Sequence, residues 1–387
     1  MIEDWEHGGF AVYVHWPFCL AKCPYCDFNS HVRREVDHDR WRAALVREFE
    51  TAAAELGDRK VTSVFFGGGT PSLMPPETVE AVISAIGTRF ELAPSTEISL
   101  EANPTSVEIG KFRGFVDAGV NRFSLGVQSL RDTHLKALGR MHSASEALKA
   151  IEVAKSVCDR VSIDLIYARQ NQSFADWEVE LADALATGVD HLSLYQLTIE
   201  EGTRFWELAS RDKLRGLPDQ DLAADMYLRT QEICEEAGFL AYEVSNHARG
   251  DAACRHNMTY WQYGDYIGIG PGAHGRVSVE GKRMATSTLS NPEKWLAQVE
   301  STGTGYSSND VLTRDEQADE YLLMSLRTVS GTDLNRLQAI GSRGPSFELV
   351  QRFKEDGFLE LNDNIISVTQ SGRLFLNKIT SELAYTT

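Results

Sequence analysis

Three cysteines lie within eight residues of one another near the start of the chain, at Cys19, Cys23 and Cys26. Thiolates grouped so closely in a chain with only six cysteines indicate a metal centre, because core packing sets no such spacing. Iron-sulfur cubanes and structural zinc sites normally use four protein donors, and no fourth cysteine follows nearby. We therefore predict a metal site with one coordination position left for an exogenous ligand. A zinc site completed by His15 or His31 is the alternative.

Short runs rich in β-branched residues alternate with longer amphipathic runs from residue 10 onward. This alternation is typical of βα units that build a parallel sheet. The predicted strands are Phe10 to His15, Val61 to Phe66, Thr96 to Glu101, Val120 to Leu125, Val161 to Ile166 and His191 to Tyr195. The predicted helices begin near Asp39, Pro76, Ser106, Ser143 and Ser173, most of them at an Asp, Ser or Pro start signal.

Each distinctive polar motif of the chain falls just after one of these strands. In a β/α barrel the loops at the carboxyl ends of the strands build the active site, so this placement is what a chemical role requires. The six units predict an α/β fold, an open and partial (β/α)6 barrel.

The chain divides into four predicted parts. A short N-terminal segment covers residues 1–9, the partial barrel covers 10–237, a barrel extension covers 238–304, and a C-terminal domain covers 305–387. In the last part three amphipathic helical segments follow Thr313, and Phe358 to Val368 is predicted to form two strands joined by an Asn-Asp-Asn turn. Helices with such a hairpin predict a winged-helix-like α+β domain. A strand is also predicted at Leu240 to Val244.

The formal net charge of -18 and the sequence pI near 5.0 argue against a nucleic-acid partner, because phosphate binding depends on clustered Lys and Arg. Acidic residues outnumber basic ones after Ser307, so we expect the C-terminal domain to be structural or a lid and not a DNA reader. No apolar run approaches membrane-spanning length, and the N-terminus lacks the basic start of a signal peptide. These features predict a cytoplasmic protein, whose reducing surroundings suit free thiolates.

Tyr13 and the pattern Cys-x3-Cys-x2-Cys directly after the first strand resemble the radical S-adenosylmethionine (SAM) superfamily. The resemblance implies a 4Fe-4S cluster held by Cys19, Cys23 and Cys26, with one iron left to bind the amino and carboxylate groups of SAM. An electron passed through the cluster would cleave SAM to methionine and a 5'-deoxyadenosyl radical. The cofactor would therefore supply the difficult chemistry, and the protein would position it.

Further motifs resemble one subfamily, the oxygen-independent coproporphyrinogen III oxidases and their relatives. Gly67-Gly68-Gly69-Thr70-Pro71 follows the second strand, where the superfamily has a Gly-Gly-Glu-Pro-type motif that contacts the SAM amino group. The resemblance implies that Tyr13, Gly68 and Glu101 contact the cluster-bound SAM. It also implies a second-ligand pocket, which holds another SAM in the oxidase, lined by Tyr25, Gly69, Thr70, Gln128, Arg140 and Asp164.

Other features depart from the oxidase. Phe28 stands where the oxidase has a further cysteine, and the chain begins almost at its first strand, without the longer N-terminal extension associated with substrate binding. Both departures argue against coproporphyrinogen decarboxylation. The loop Tyr167-Ala-Arg-Gln-Asn-Gln replaces the Gly-Leu-Pro common in relatives, and the sequence leaves its geometry open.

A second distinctive stretch runs from Cys254 to Trp261 and includes His256, Asn257 and Tyr260. A histidine beside Tyr and Trp can offer an axial nitrogen and flat apolar surface to a porphyrin, although a core histidine packed beside two aromatic rings gives the same pattern. His-Asn-x-x-Tyr-Trp resembles the haem-binding motif of the haem chaperone branch of this family, the HemW-like proteins. The resemblance implies His256 as the axial ligand, with Cys254 as the alternative if its thiolate is accessible.

Residues 270 to 275 match Gly-x-Gly-x-x-Gly, the fingerprint of dinucleotide sites. The residues that follow are predicted to form a strand and a turn, whereas a dinucleotide site needs a helix there. We therefore predict a close backbone turn near SAM.

Together these features predict a haem chaperone that binds a 4Fe-4S cluster, SAM and haem as cargo, and delivers haem to respiratory membrane haemoproteins. We expect it to reach the inner membrane only peripherally, through its partners, and to dimerise when the cluster is bound. The sequence assigns no catalytic residue. The alternative function is oxygen-independent coproporphyrinogen III oxidase, and a winged-helix regulator with an iron-sulfur sensor is a third that the charge disfavours.

Overall fold

The computed structural model describes residues 3–341 and 344–384. Its strands are β1 (Phe10–Trp16), β2 (Phe18–Cys19), β3 (His31–Val32), β4 (Lys60–Gly68), β5 (Glu91–Ala102), β6 (Arg122–Gln128), β7 (Val161–Tyr167), β8 (His191–Gln196), β9 (Leu240–Ala241), β10 (Asn246–Ala248), β11 (Asp265–Ile269), β12 (His274–Val279), β13 (Lys282–Thr288), β14 (Tyr306–Val311), β15 (Thr332–Asp333), β16 (Leu359–Asn362) and β17 (Ile365–Val368).

Its α-helices are α1 (His38–Ala53), α2 (Pro76–Arg89), α3 (Ser106–Ile109), α4 (Phe112–Asp117), α5 (Asp132–Ala137), α6 (Ala144–Val157), α7 (Phe174–Ala186), α8 (Arg204–Ala209), α9 (Gln220–Glu236), α10 (Arg255–Trp261), α11 (Pro292–Thr302), α12 (Arg314–Ser325), α13 (Leu334–Ile340), α14 (Phe347–Glu355) and α15 (Leu376–Ala384). Short 3-10 turns lie at Asp4–His7, Pro71–Leu73 and Gly372–Phe375.

The six predicted strands form a continuous parallel array in the order β1-β4-β5-β6-β7-β8, as the βα pattern requires. Next to β1 the sheet continues with parallel β11 and then antiparallel β12, β13 and β14, and next to β8 it ends with β10 and β9. Because β14 and β9 are the two edges of this sheet and do not pair with each other, the barrel is open, which confirms the predicted fold class.

Successive side chains along a strand point alternately toward the hydrophobic core and toward the site. In β1 the side chains of Val12 and Val14 are fully buried in the main hydrophobic core, whereas the intervening Tyr13 belongs to the opposite face. In β7 the fully buried Ile163 and Leu165 flank Asp164 in the same way. In these two strands Tyr13 and Asp164 therefore lie on the face opposite the main core.

The helix starts confirm the predicted signals, each within one residue. Ser143 and Ser173 are N-caps with complete capping boxes. In each box the serine N–H donates a hydrogen bond to the carboxylate three residues later, Glu146 or Asp176. Such a cap stabilises a helix by about 1 kcal/mol. These caps fix where each helix leaves the loop that follows its strand, and those loops build the site.

The predicted strand Leu240 to Val244 is wrong beyond its first two residues. Only β9 (Leu240–Ala241) pairs, and the chain then turns so that β10 can run antiparallel to β8. The cause is the buried side chain of Glu243, which accepts hydrogen bonds from the Ser245 N–H and the Asn246 side chain and folds the chain over itself. Alternation of residue types does not reveal such a turn.

The C-terminal part contains the predicted three helices and hairpin. Helices α12, α13 and α14 precede the β16–β17 pair, which β15 extends to three strands. Asp363 and Asn364 both have positive φ, 47° and 68°, as a tight hairpin turn requires. This part has its own core, and Arg276 pairs with Glu320 to join α12 to the barrel extension. In the described ranges, no helix is both long and apolar enough to cross a membrane.

Candidate functional site

The loop that carries the three cysteines is closed at its base by strand pairing. Strand β2, which ends at Cys19, runs parallel to β3, so residues 20–30 form a loop at the end of the first barrel strand. All three cysteines are free and partly buried. Their side chains line one cavity of about 640 Å³, which is open enough to admit a ligand of cofactor size.

Each cysteine sulfur has its own polar neighbour. The Thr70 hydroxyl donates to the Cys19 Sγ at 3.3 Å, Nη1 of Arg140 donates to the Cys23 Sγ at 3.3 Å, and the Ser30 hydroxyl lies 3.8 Å from the Cys26 Sγ. Burial raises the pKa of Cys19 and Cys26, and the hydrogen bonds from Thr70 and Ser30 act against this rise. Without a metal the surroundings thus favour the thiol forms of Cys19 and Cys26, and a positively charged centre would stabilise the thiolates that ligate it.

The zinc alternative does not fit this geometry. No three His, Cys, Asp or Glu side chains within residues 3–341 and 344–384 are arranged to hold a single metal ion. The His15 ring is fully engaged, with Nδ1 3.0 Å from the Tyr13 hydroxyl and Nε2 2.9 Å from the Asn29 carbonyl oxygen. The His31 Nε2 likewise lies 3.1 Å from the Asn29 side-chain oxygen. Both histidines that could complete a zinc site are thus engaged in other hydrogen bonds.

A residue that sequence reasoning missed links these donors. Asn103 donates to Thr70 Oγ1 at 3.1 Å and accepts from Nη2 of Arg140 at 2.5 Å, and the same Nη2 donates to the Gly126 carbonyl at 2.8 Å. Asn103 thus orients two of the groups that contact the cysteines. The available signal was its position in Leu-Glu-Ala-Asn-Pro at the end of β5, two residues after Glu101.

The predicted SAM-contacting residues converge from several strands. Glu101 accepts a hydrogen bond from the Gly68 N–H at 3.1 Å, and Asp164 accepts from the Ser124 hydroxyl at 3.2 Å. Cavity-lining residues from the prediction are Tyr25, Gly68, Gly69, Thr70, Glu101, Gln128, Arg140 and Asp164, together with the three cysteines. Burial and the nearby Asp164 raise the pKa of Glu101 from its ordinary 4.5 to about 8.

This raised pKa predicts a pH dependence of stability for the cofactor-free protein. Between pH 4.5 and about 8 the folded chain retains a proton on Glu101 that the unfolded chain loses, so the free energy of unfolding should fall as the pH rises. The slope from one group is at most about 1.4 kcal/mol per pH unit. Denaturant unfolding across this range should show wild type losing stability relative to Glu101→Gln as the pH rises, because the amide cannot ionise. Parallel curves would contradict the assignment.

Gln128, at the end of β6, has an unusual backbone that a buried ion pair supports. Its φ is 64°, which non-glycine residues rarely adopt. The Arg169 guanidinium donates to the Gln128 carbonyl at 3.2 Å and pairs with the Glu180 carboxylate. Arg169 belongs to the loop whose geometry the sequence left open, and it was not predicted as a supporting residue.

A second cavity of about 400 Å³ adjoins the first. Both cavities are bordered by Phe28, Gly68 and Glu101. The second cavity is also lined by Tyr13, His15, Asn29, Tyr260, Trp261, Tyr266, Gly272, His274 and Met324. Tyr13, the remaining predicted SAM contact, therefore lies on this side. Five aromatic side chains, Phe28 among them, and the thioether of Met324 give it an apolar character.

The glycine-rich turn at residues 270–275 forms one side of this second cavity, as a close backbone turn and not a dinucleotide site. Asn29 Nδ2 donates to the Pro271 carbonyl at 2.8 Å and to the Ser290 carbonyl at 3.0 Å, which ties the cysteine loop to the turn. Gly272 has φ +80°, and a Cβ there would lie 2.5 Å from Asn29 Nδ2. Strand β12 follows the turn, as predicted.

Gly68 is the glycine of the site where an added methyl group should matter most. Its φ is +113°, and a Cβ would lie 2.7 Å from the His15 ring, which two hydrogen bonds hold in place. We expect Gly68→Ala to lower the free energy of unfolding by about 1–3 kcal/mol, the cost of such strain. Chemical denaturation measures this. Gly57→Ala, where a Cβ meets nothing within 4 Å, should change it by less than about 0.5 kcal/mol.

The predicted haem-ligand residues divide into two groups. Tyr260 and Trp261 line the second cavity, whereas Cys254, His256 and Asn257 do not. Cys254 is 1% exposed, its thiol contacts the Glu97 carboxylate, and burial raises its pKa to about 12. Asn257 donates to the Tyr242 hydroxyl at 3.4 Å.

His256 is also 1% exposed, and both of its ring nitrogens are engaged. Nδ1 lies 3.0 Å from the Ser63 hydroxyl and Nε2 lies 2.7 Å from the Tyr260 hydroxyl. Neither His256, in the first turn of α10, nor Cys254, its N-cap, presents a free donor atom to a cavity, because both side chains are buried in the packed interior. Their prediction as axial ligands does not agree with this geometry.

The open parallel barrel, the three converging thiols at its first loop and the adjoining cavity define a radical SAM protein. Residues 13–184 match the family model described as "Radical SAM superfamily", and residues 312–375 match "HemN C-terminal domain".

Two similar proteins cover nearly the whole chain. "Radical S-adenosyl methionine domain-containing protein 1, mitochondrial" of Danio rerio is 38% identical over 384 residues, 95% of this chain and 85% of the relative. "Heme chaperone HemW" of Escherichia coli (strain K12) is 34% identical over 375 residues, 95% of this chain and 96% of the relative. The chain belongs to this HemW family of radical SAM proteins.

Among solved structures, the coproporphyrinogen III oxidase HemN from Escherichia coli, a radical SAM enzyme, superposes with a TM-score of 0.82. The alignment covers 98% of this chain and 91% of that one, at 21% sequence identity. At that identity the likeness shows a shared fold.

The superfamily uses a 4Fe-4S cluster and SAM, and the residues present fit both groups. Three thiols point into one cavity beside hydrogen-bond donors, which suits a cluster with one iron unligated by protein. Gly68 and Gly69 bring bare backbone to the same cavity, where a Cβ would collide with the His15 ring or with the backbone of Phe18. The Glu101 carboxylate at the next strand end suits ribose hydroxyls.

Proposed function

We propose that the protein is a haem chaperone that carries a 4Fe-4S cluster and SAM and hands its haem to respiratory membrane haemoproteins. The observation that carries the proposal is the second cavity, whose aromatic wall comes from Tyr260 and Trp261 of the His-Asn-x-x-Tyr-Trp stretch and which borders the cysteine cavity. Flat apolar surfaces of this kind bind porphyrin rings. The relative named heme chaperone HemW shares 34% of aligned residues, which supports the same role.

We assign the roles of the cofactor-facing residues accordingly. Cys19, Cys23 and Cys26 hold the cluster, while Tyr13, Gly68 and Glu101 contact the SAM bound to it. Tyr25, Gly69, Thr70, Gln128, Arg140 and Asp164 line the space for a second ligand. When bound, the cluster and SAM supply one-electron chemistry. Arg140 donates a hydrogen bond to the Cys23 sulfur at 3.3 Å and so orients this ligand.

Haem transfer to an apo-acceptor tests the chaperone role. The protein is loaded with haemin, freed of excess, and mixed with the haem-free form of a respiratory membrane haemoprotein, and the acceptor's absorbance spectrum is followed. We expect transfer faster than from haemin held by serum albumin at the same concentration. Transfer at or below the albumin rate would defeat the proposal.

The second candidate function is oxygen-independent coproporphyrinogen III oxidase, favoured by the likeness of the whole chain to the HemN fold. Phe28 argues against it, because this residue occupies the position of the oxidase's further cysteine and is 58% exposed at the border of both cavities. An anaerobic assay with reductant, SAM and coproporphyrinogen III decides between the two. Formation of protoporphyrinogen would establish the oxidase.

We also propose a cytoplasmic location with peripheral attachment to the inner membrane through haem-accepting partners, and a homodimer that forms when the cluster is bound. The net charge of -18 supports partners other than nucleic acid. Sedimentation of the cluster-free and reconstituted protein tests dimerisation, and an unchanged mass would exclude it.

A further inference from the structure

The histidine of the family motif does not line the second cavity. A different histidine lies on the surface of that cavity. His274, the first residue of β12, lines that cavity and is exposed. Within the described residues its imidazole has no hydrogen-bond partner, in contrast to His15, whose two ring nitrogens are both engaged. It is therefore an accessible nitrogen donor beside an aromatic wall.

The backbone holds His274 firmly in this position. Gly268 of β11 lies so close to it that a Cβ at Gly268 would be 2.0 Å from the His274 carbonyl oxygen, so the two strands pack without side chains between them. His274 also pairs with Ser287 on the neighbouring β13. A ligand on a rigid strand keeps its direction when it binds, which is a requirement for a specific metal ligand.

His256 acts on the same cavity in a different way. Its Nε2 holds the Tyr260 hydroxyl at 2.7 Å, and its ring stacks on Phe65 at 4.9 Å and lies 6.1 Å from the Tyr13 ring. Both tyrosines line the cavity. An iron bond to His256 would break the Tyr260 hydrogen bond and expose a buried ring. The motif histidine thus supports the wall against which a flat ligand would pack.

We propose that His274 supplies the imidazole that ligates the haem iron in the second cavity, and that His256 is a positioning residue that holds Tyr260. The proposal rests on the haem chaperone function proposed above and names its iron ligand. It also suits release, because an exposed ligand at a cavity surface can be replaced by a ligand of an acceptor protein, whereas a ligand inside the barrel cannot be reached.

The test is a haemin titration of wild type, His274→Ala, His256→Gln and His31→Ala, read by the Soret band and by electron paramagnetic resonance. We expect His274→Ala to lose the imidazole-ligated signature and at least about 10-fold in haem affinity, since even residues that only orient metal ligands contribute 10- to 100-fold. Added imidazole should restore the signature in His274→Ala. His256→Gln can still bond Tyr260 and should keep the signature. His31→Ala, a nearby histidine that lines neither cavity, should match wild type.

Three results would overturn the inference. Retention of the wild-type spectrum and affinity by His274→Ala would exclude His274. Loss of the imidazole signature in His256→Gln, with a far-ultraviolet spectrum and unfolding midpoint like wild type, would assign the iron to the motif histidine and leave the chaperone function intact. A wild-type protein that shows no saturable haem spectrum would defeat the proposed function and this inference with it.

Discussion

Replacing Cys23 by serine should reduce the iron and sulfide retained after anaerobic reconstitution to the background of a cluster-free protein. The site offers three protein sulfurs, and no other cysteine lines the cavity, so the variant keeps only two strong donors. A serine hydroxyl stays protonated at neutral pH and cannot replace a thiolate ligand. The Arg140 guanidinium, which lies 3.3 Å from the Cys23 sulfur in the wild type, would then face a neutral group. Iron and sulfide assays with visible absorbance measure the loss.

The matched control is Cys158→Ser. Cys158 is 8% exposed and lies outside the cavity, and its thiol donates to the Arg160 carbonyl at 3.4 Å, a bond that a serine hydroxyl can keep. This variant should bind iron as wild type does. A Cys23→Ser protein that retained the full cluster, or a wild-type protein that bound zinc in place of iron, would refute the assignment of the site.

Much of the barrel could be predicted because its signals are local. Each predicted strand has alternating or continuous apolar residues, and start residues such as Ser143 and Ser173 cap the helices that follow. The cysteine loop was predictable for the same reason, since its spacing lies within one short segment. The edge strand β14 (Tyr306–Val311) was missed because most of its residues are exposed and carry no apolar pattern.

Long-range pairing sets the limit of sequence reasoning at the site. Asn29 ties the cysteine loop to residues about 240 positions away, at Pro271, and nothing in its neighbourhood announces this partner. The motif of His256 shows why a residue's type does not fix its role. Only the distances to Ser63 and Tyr260 reveal that its ring faces the interior.

The second large expected effect is on the stability of the fold, and it concerns the buried Arg169–Glu180 ion pair that supports Gln128. Glu180→Ala should lower the free energy of unfolding by about 3–5 kcal/mol, the usual cost of leaving one partner of a buried ion pair alone. The Arg169 and Glu180 side chains are 2% and 1% exposed. Glu180 also accepts from the Ser129 hydroxyl and the Leu130 N–H, both at 2.6 Å, so three donors would lose their acceptor.

Denaturant unfolding of the cofactor-free protein measures this change, and Asp183→Ala provides the comparison on the same helix. Asp183 pairs with Arg131, but these side chains are 54% and 35% exposed, and an ion pair in water contributes only about 0–1 kcal/mol. A Glu180→Ala loss no larger than that of Asp183→Ala would mean that the Arg169 pair does not hold this region. The Arg169 guanidinium that pairs with Glu180 also fixes the Gln128 carbonyl, so a large loss should let the strained Gln128 backbone relax as well. SAM affinity should then fall in Glu180→Ala and stay unchanged in Asp183→Ala.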